Sequence, residues 1–276
     1  MGAVSGSTKP RGGVVPEVDG GTGGPGSGAG VRKDGPGPAP MILAPVGVPA
    51  RSVDSSRRAA ALTKLCDRLA GEIVLRHAVG RTTLDLGHGA PRVTEWVRPR
   101  VATLTMVDAV DLGHGAQIRL PFRDGSFECV FSLRTLPHLG HDGPSSEAAA
   151  RSMLAELGRV LVPGGTAICQ IDNPRSLWGA YHGIRHPANV IEPGPLVVES
   201  DRGVTRFDTL PRLMEMLPPA LAVGDLHGLR VFAAWPHVLA IPIVGRLIAR
   251  LEWAARDRAL LRGFGAHLLV VLRRVV

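Results

Sequence analysis

TTLDLGHGAPRVTEWV, residues 82–97, decides the fold. An apolar run over 82–86 halts at Gly87, and Pro91 opens a helical stretch of about 91–98. Proline suits the first helical turn, where its missing N–H is not needed. Strand, glycine-rich turn and helix in that order open a βα unit. Such a turn brings backbone N–H groups and the positive end of a helix to the carboxyl edge of a sheet, where open α/β folds bind their ligands. Gly87 and Gly89 allow a ligand close to the backbone. Asp85 stands at the strand end, and Asp108 lies 23 residues further on, within the next strand, 104–110. An acid there can accept both hydroxyls of a ribose.

The hexapeptide DLGHGA of 85–90 returns at 111–116. The second copy has no helix after it and runs straight into Ile118-Arg119-Leu120-Pro121-Phe122. A glycine motif is a cradle only in its strand–turn–helix setting. The second copy therefore reads as a connecting turn, and the identity as chance or a local duplication.

The flanking elements repeat the βα pattern. Ala59, Leu62, Leu65, Cys66, Leu69 and Ile73 recur at helical spacing after a cap at Asp54 or Ser55, and this helix ends near Gly80. The run 127–133 is apolar throughout, as a strand covered on both faces requires. A helix capped by Ser145 or Ser146 follows, carrying Ala149, Met153, Leu154, Leu157 and Val160 inward, with Pro163-Gly164-Gly165 as its terminator and 167–171 as the next strand. Two late strands, 221–226 and 267–272, enclose a Leu/Ile/Arg-rich stretch, 236–262. Pro236, His237 and Pro242 interrupt its apolar part, which favours a buried or interfacial helix pair over a membrane span. From 246 to 276 seven arginines face Glu252 and Asp257, and an Arg-flanked apolar helix is also of the kind that touches a lipid surface. Strands alternating with helices make this an α/β protein with a largely parallel sheet.

With 276 residues and 45% apolar composition the chain can bury a substantial core, built from Leu, Val, Ile and Ala because aromatics are only 4%. The net charge of +8 comes from dispersed arginines without a basic run, so no nucleic-acid partner is expected. Cys66, Cys129 and Cys169 are odd in number, far apart and set among apolar neighbours. That is the pattern of buried reduced thiols, and a cytoplasmic location is expected. The first 40 residues are rich in Gly and Pro and lack the apolar core of a signal peptide. We expect a disordered tail over 1–50 and one domain over 51–276, with Met41 an alternative start.

LDLGHGA, VDAV, LPFRDGSFECVFSLRTLPHL and LAELGRVLVPGGTAICQ together resemble a class I S-adenosylmethionine-dependent methyltransferase of the small-molecule, type 11-like kind. The resemblance covers about 82–172. It implies a Rossmann-like doubly wound sheet, mostly parallel with an antiparallel last strand, and S-adenosyl-L-methionine as cofactor. It implies that Asp85, Gly87 and Gly89 line the methionine part and that Asp108 binds the ribose; Gln117 and Ser132 complete the implied cofactor set. Two departures stand out. The family's third glycine position is Pro91, and the segment between Asp108 and Leu120 is about twenty residues shorter than usual, so the sheet is shortened between its second and fourth strands. The place of the acid that faces adenine falls on Ala116, beside Gln117.

Acceptor-binding groups are expected at the carboxyl ends of the later strands, in 134–141 and 173–187. The second stretch is long, as functional loops are, and holds Trp178, Tyr181, His182 and His186. His182, His186 and Tyr181 are the candidate catalytic residues, a histidine serving as base because its pKa lies near neutrality. Trp178 and Tyr181 suit stacking on a ring or covering the core. His138 and His141 lack a clear third ligand, so no metal is expected. The expected activity is O-methylation of a small molecule, glycan or lipid-linked acceptor, with 231–262 available for peripheral membrane contact. A degenerate, non-catalytic binding or scaffold protein and an RNA methyltransferase are the alternatives.

Overall fold

The apolar runs become strands whose side chains alternate between two separate cores. The computed structural model describes residues 50–108, 117–176, 196–200, 203–233, 239 and 241–275. Helix α1 (Ala50–Ala78) begins before the cap expected at Asp54 or Ser55. Strand β1 (Thr82–Gly87), helix α2 (Pro91–Val97) and strand β2 (Thr103–Asp108) form the first βαβ unit. Strand β3 (Phe127–Ser132), helix α3 (Gly143–Val160) and strand β4 (Leu161–Asp172) form the second. A hairpin, β5 (Leu196–Ser200) and β6 (Gly203–Phe207), precedes the short α4 (Leu210–Met216). Strand β7 (Leu221–Leu229), helix α5 (Pro242–Arg256) and strand β8 (His267–Arg274) close the described chain.

The main sheet runs β2-β1-β3-β4-β8-β7. β1, β2, β3 and β4 are parallel, and β8 is antiparallel to both β4 and β7. β6 meets β4 only at Asp172 opposite Phe207. This is the doubly wound, Rossmann-like sheet with an antiparallel last strand. Among the described residues no strand lies outside β2. The second DLGHGA copy, 111–116, lies outside the described residues.

One face of the sheet, through Cys129, Phe131, Ile168, Leu269 and Val271, packs on Leu69, Ile73 and Val74 of α1 and on Val93 and Val97 of α2. The other face, through Leu84, Leu86, Val130, Ala167, Cys169, Val270 and Leu272, packs on Met153, Leu154 and Leu157 of α3 and Leu213 of α4. Coverage on both sides is why these strands read as continuous apolar runs. All three cysteines are free and buried, and burial pushes each thiol up to about 12.

Three local expectations are corrected. The cap of α3 is Asp142, whose carboxylate accepts from the Ser145 N–H at 2.8 Å while the Ser145 hydroxyl takes the Asp142 N–H at 3.0 Å. The helix therefore starts at Gly143, with a proline in its first turn, rather than at Ser145 or Ser146. Pro163-Gly164-Gly165 does not end α3, which stops at Val160; it lies inside the extended stretch of β4, with Gly164 at φ +75°. Within 236–262 the described residues hold one α-helix, α5, and no described helix is long and apolar enough to cross a membrane.

Glu156 and Arg159 of α3 explain why ELGR accompanies LPFRDGSF. Glu156 accepts the Leu120 N–H at 2.8 Å, and Arg159 donates to the Phe122 carbonyl and to Asp124, each at 2.7 Å. Arg159 also donates to Glu156 at 2.7 Å. The loop entering β3 is thus latched to the helix leaving it, and Gly125 supplies the positive φ of +62° at which its last turn closes.

Candidate functional site at the carboxyl edge of the sheet

The first DLGHGA copy turns where a bound group could meet β1. Gly87 has φ +92°, and the next residue, His88, also sits in the left-handed region at +46°. A Cβ on Gly87 would stand 2.0 Å from Thr135 Oγ1, and one on Gly89 would stand 2.1 Å from the Leu133 carbonyl oxygen. The glycines are thus required by the chain's own packing against the exit of β3, before any ligand is considered. Thr135 and Ser132 both donate to the Leu86 carbonyl, at 3.3 and 2.9 Å. Ser132 is fully buried, its hydroxyl committed to that backbone bond.

Asp85 is 2% exposed. Its Oδ2 accepts the Thr94 hydroxyl of α2 and lies 3.1 Å from His88 Nδ1. Burial raises its pKa above the ordinary carboxylate value, and the bonds from Thr94 and His88 only partly offset this. Asp108 ends β2 directly across from Gly87 in the parallel register and is exposed. Gln117, also exposed, enters from the segment before β3. Asp85, Gly87, Gly89 and Asp108 are therefore gathered on one edge, at the ends of two neighbouring strands.

A second cluster occupies the same edge at β4 and β8. Asp172, the last residue of β4, lies opposite His267, the first of β8, and its Oδ1 is 2.7 Å from His267 Nδ1. The other ring nitrogen, Nε2, is 3.2 Å from Arg230 Nη1. A guanidinium only donates, so Nε2 accepts from Arg230 and Nδ1–H points to Asp172. Burial acts to raise the Asp172 carboxyl, but the bond from His267, with the charges of His138 and Arg230, outweighs it and holds the group below its ordinary value. Arg230, like Arg134, has φ +59°. Non-glycine residues in this region carry strain that the surrounding packing must hold.

A cleft of about 90 Å³ opens beside the second cluster. Cys66, Leu133, Arg134, Gln170, Arg230 and His267 line it. Arg134 belongs to both sides: it donates to the Gly89 carbonyl at 3.2 Å and pairs with Asp67 of α1. The cleft is therefore roofed by α1 and floored by strand ends.

Residues 84–169 match the family model of a methyltransferase domain. That match runs from β1 into β4 of the chain. No curated protein matches it in sequence. Among solved structures, the chain is similar to an S-adenosylmethionine-dependent methyltransferase from Mesorhizobium loti, at 16% identity and a TM-score of 0.47, over 74% of this chain and 96% of that one. It is similar to geranyl diphosphate C-methyltransferase from Streptomyces coelicolor A3(2), at 15% identity and 0.46, over 86% and 91%. It is also similar to 1,6-didemethyltoxoflavin-N1-methyltransferase from Burkholderia thailandensis, at 15% identity and 0.42, over 85% and 94%.

Sequence reasoning singled out Asp85, Gly87, Gly89 and Asp108, and the fold brings these together. It placed the catalytic candidates Tyr181, His182 and His186, with Trp178, in a stretch that lies outside the described residues. His138 is exposed, with Nδ1 3.2 Å from the Val204 carbonyl oxygen, and no metal-binding cluster occurs among the described residues. Asp172, His267 and Arg230 went unnoticed. The available signal was an acid ending one strand and a histidine opening another, which only strand pairing makes neighbours.

Proposed function

We propose that this protein transfers the methyl group of S-adenosylmethionine to an oxygen of a small molecule, glycan or lipid-linked acceptor, and that it does so in the cytoplasm. The observation that carries the reading is the register of Gly87 opposite Asp108 at the ends of adjacent parallel strands. It sets a tight backbone turn beside an exposed carboxylate, the pairing that a nucleoside with a free diol needs. Asp108 holds the ribose, the Asp85–Gly89 turn holds the methionine part, and Gln117 lies on the adenine side. The cofactor supplies an electrophilic methyl on a sulfonium centre. The protein's share of the reaction is alignment, exclusion of water and removal of the acceptor's proton.

The cleft supports an acceptor site beside that turn. An acceptor hydroxyl entering it displaces Arg230 from His267 Nε2, which then takes the proton, while Asp172 holds the imidazole through Nδ1–H and favours the cation that forms. Arg230 and Arg134 leave the cleft suited to an acceptor bearing negative charge or several hydroxyls. His182, His186 and Tyr181 remain the alternative proton acceptors. Three inert, buried thiols agree with a reducing compartment.

Calorimetric titration of the full chain with S-adenosylmethionine, run beside Asp108→Ala, tests the reading. Micromolar binding that the variant loses is the expected result. A folded chain that takes up no cofactor would overturn it and favour the binding or scaffold alternative, to which the absence of a described strand outside β2 points.

A further inference from the structure

Helix α5 wears its charges inward and its apolar side chains outward. Glu252 is fully buried and accepts the backbone N–H groups of Val231, Phe232 and Ala233 at 3.1, 2.7 and 2.7 Å. Arg256, also buried, reaches the Leu69 carbonyl and Glu72 of α1, each at 3.4 Å, and stacks over Trp253 at 4.9 Å. Ile248 packs with Leu62 and Cys66 of α1. These contacts fix the rotation of the helix about its axis. The opposite side then presents Ile243, 82% exposed, Leu247, 55%, Leu251, 38%, and Val244, 37%. At 100° per residue these fall within one face, and Arg246 and Arg250, both exposed, run along its edge. The exposed positions of α5 carry two cations and no acid.

We propose that this face of α5 docks the protein on an anionic lipid surface. A helix lies in a membrane interface when one side is apolar, basic side chains flank it and it is too short to span. All three hold here, and the charge chooses the surface: two unopposed guanidinium groups beside an apolar stripe fit acidic headgroups above acyl chains. The docking is independent of the methyl-transfer reading. Its consequence for that reading is geometric, since the buried side of α5 rests on Leu62 and Cys66, which line the cleft. A bilayer beneath α5 therefore lies next to the acceptor site.

Sedimentation of the full chain with vesicles tests the proposal, comparing phosphatidylcholine alone with a mixture containing phosphatidylglycerol. Binding is expected only to the anionic vesicles. It should weaken about tenfold in Leu247→Asp and in the double variant Arg246→Glu/Arg250→Glu, and fade as salt rises. Met214→Asp, at an exposed apolar residue of α4, should bind like the unaltered chain. Circular dichroism of each variant confirms that its fold is intact. Failure to bind, or equal binding by the α5 variants, overturns the proposal. A dimer seen by light scattering and abolished by Leu247→Asp, without vesicle binding, overturns it in favour of a second copy of the chain on the same face.

Discussion

The two ends of the sheet's carboxyl edge each bury an aspartate against a histidine, yet the two carboxyls are pushed in opposite directions. Asp85 receives a neutral hydroxyl from Thr94 and an imidazole at 3.1 Å, and burial wins. Asp172 receives an imidazole at 2.7 Å within reach of the charges of His138 and Arg230, and the charges win over a burial that also opposes them. A buried carboxylate is stabilised by cations far more than by hydroxyls. One end of the edge thus keeps an acid under electrostatic stress beside the glycine turn. The other keeps a settled anion beside an imidazole.

Five substitutions break or sharpen this contrast. Gly89→Ala should have the largest effect, because its methyl must displace a backbone carbonyl 2.1 Å away. A loss of about 3 kcal/mol is expected in denaturant unfolding. A loss under about 1 kcal/mol would mean the turn yields easily. His267→Ala should lower kcat by about 100-fold, the usual worth of a general base. An unchanged kcat would transfer the base to His182, His186 or Tyr181. Asp108→Ala should weaken cofactor binding about 10-fold to 100-fold, with little change in melting temperature, since the side chain is exposed.

The smallest effect should come from the aspartates themselves. Raised in the fold, Asp85 stabilises it only below the ordinary carboxylate pKa, and that contribution disappears as pH rises through its folded value. Asp85→Asn should therefore raise the melting midpoint at neutral pH, and the gain should vanish in acid. Asp172, lowered in the fold, stabilises it above the ordinary value and loses that contribution as pH falls through its folded value. Asp172→Asn should lower the midpoint at neutral pH, with the penalty shrinking in acid. Equal signs for the two variants in a pH series of melting curves would contradict the contrast.

Most of the sheet was legible because its strands are covered on both faces and so show as apolar runs, 127–133 above all. The β5–β6 hairpin was not. Arg206, on β6, is fully buried and paired to Asp208 at 2.6 Å, which reverses the polarity a strand pattern relies on. The cap of α3 was missed because Gly143 and Pro144 look like a loop, while Asp142 closes a box with Ser145 that serine alone cannot mark. The edge formed by Asp85, Gly87, Gly89 and Asp108 was readable because these residues are close in sequence. Asp172 and His267 are 95 positions apart, and only the antiparallel return of β8 makes them a pair.

The three thiols also make the protein its own clock. Cys66 lies on the buried side of α1, Cys129 on β3 and Cys169 on β4, and each is held at a pKa of about 12 by burial alone or chiefly so. A thiol-specific reagent reacts with thiolate, so labelling in native buffer waits for local opening. Following the three adducts by mass spectrometry would separate lifting of the roof helix from breakage of the central strands, with no engineered probe. If acceptors enter by displacement of α1, Cys66 alone should label quickly, and a bound acceptor should slow it.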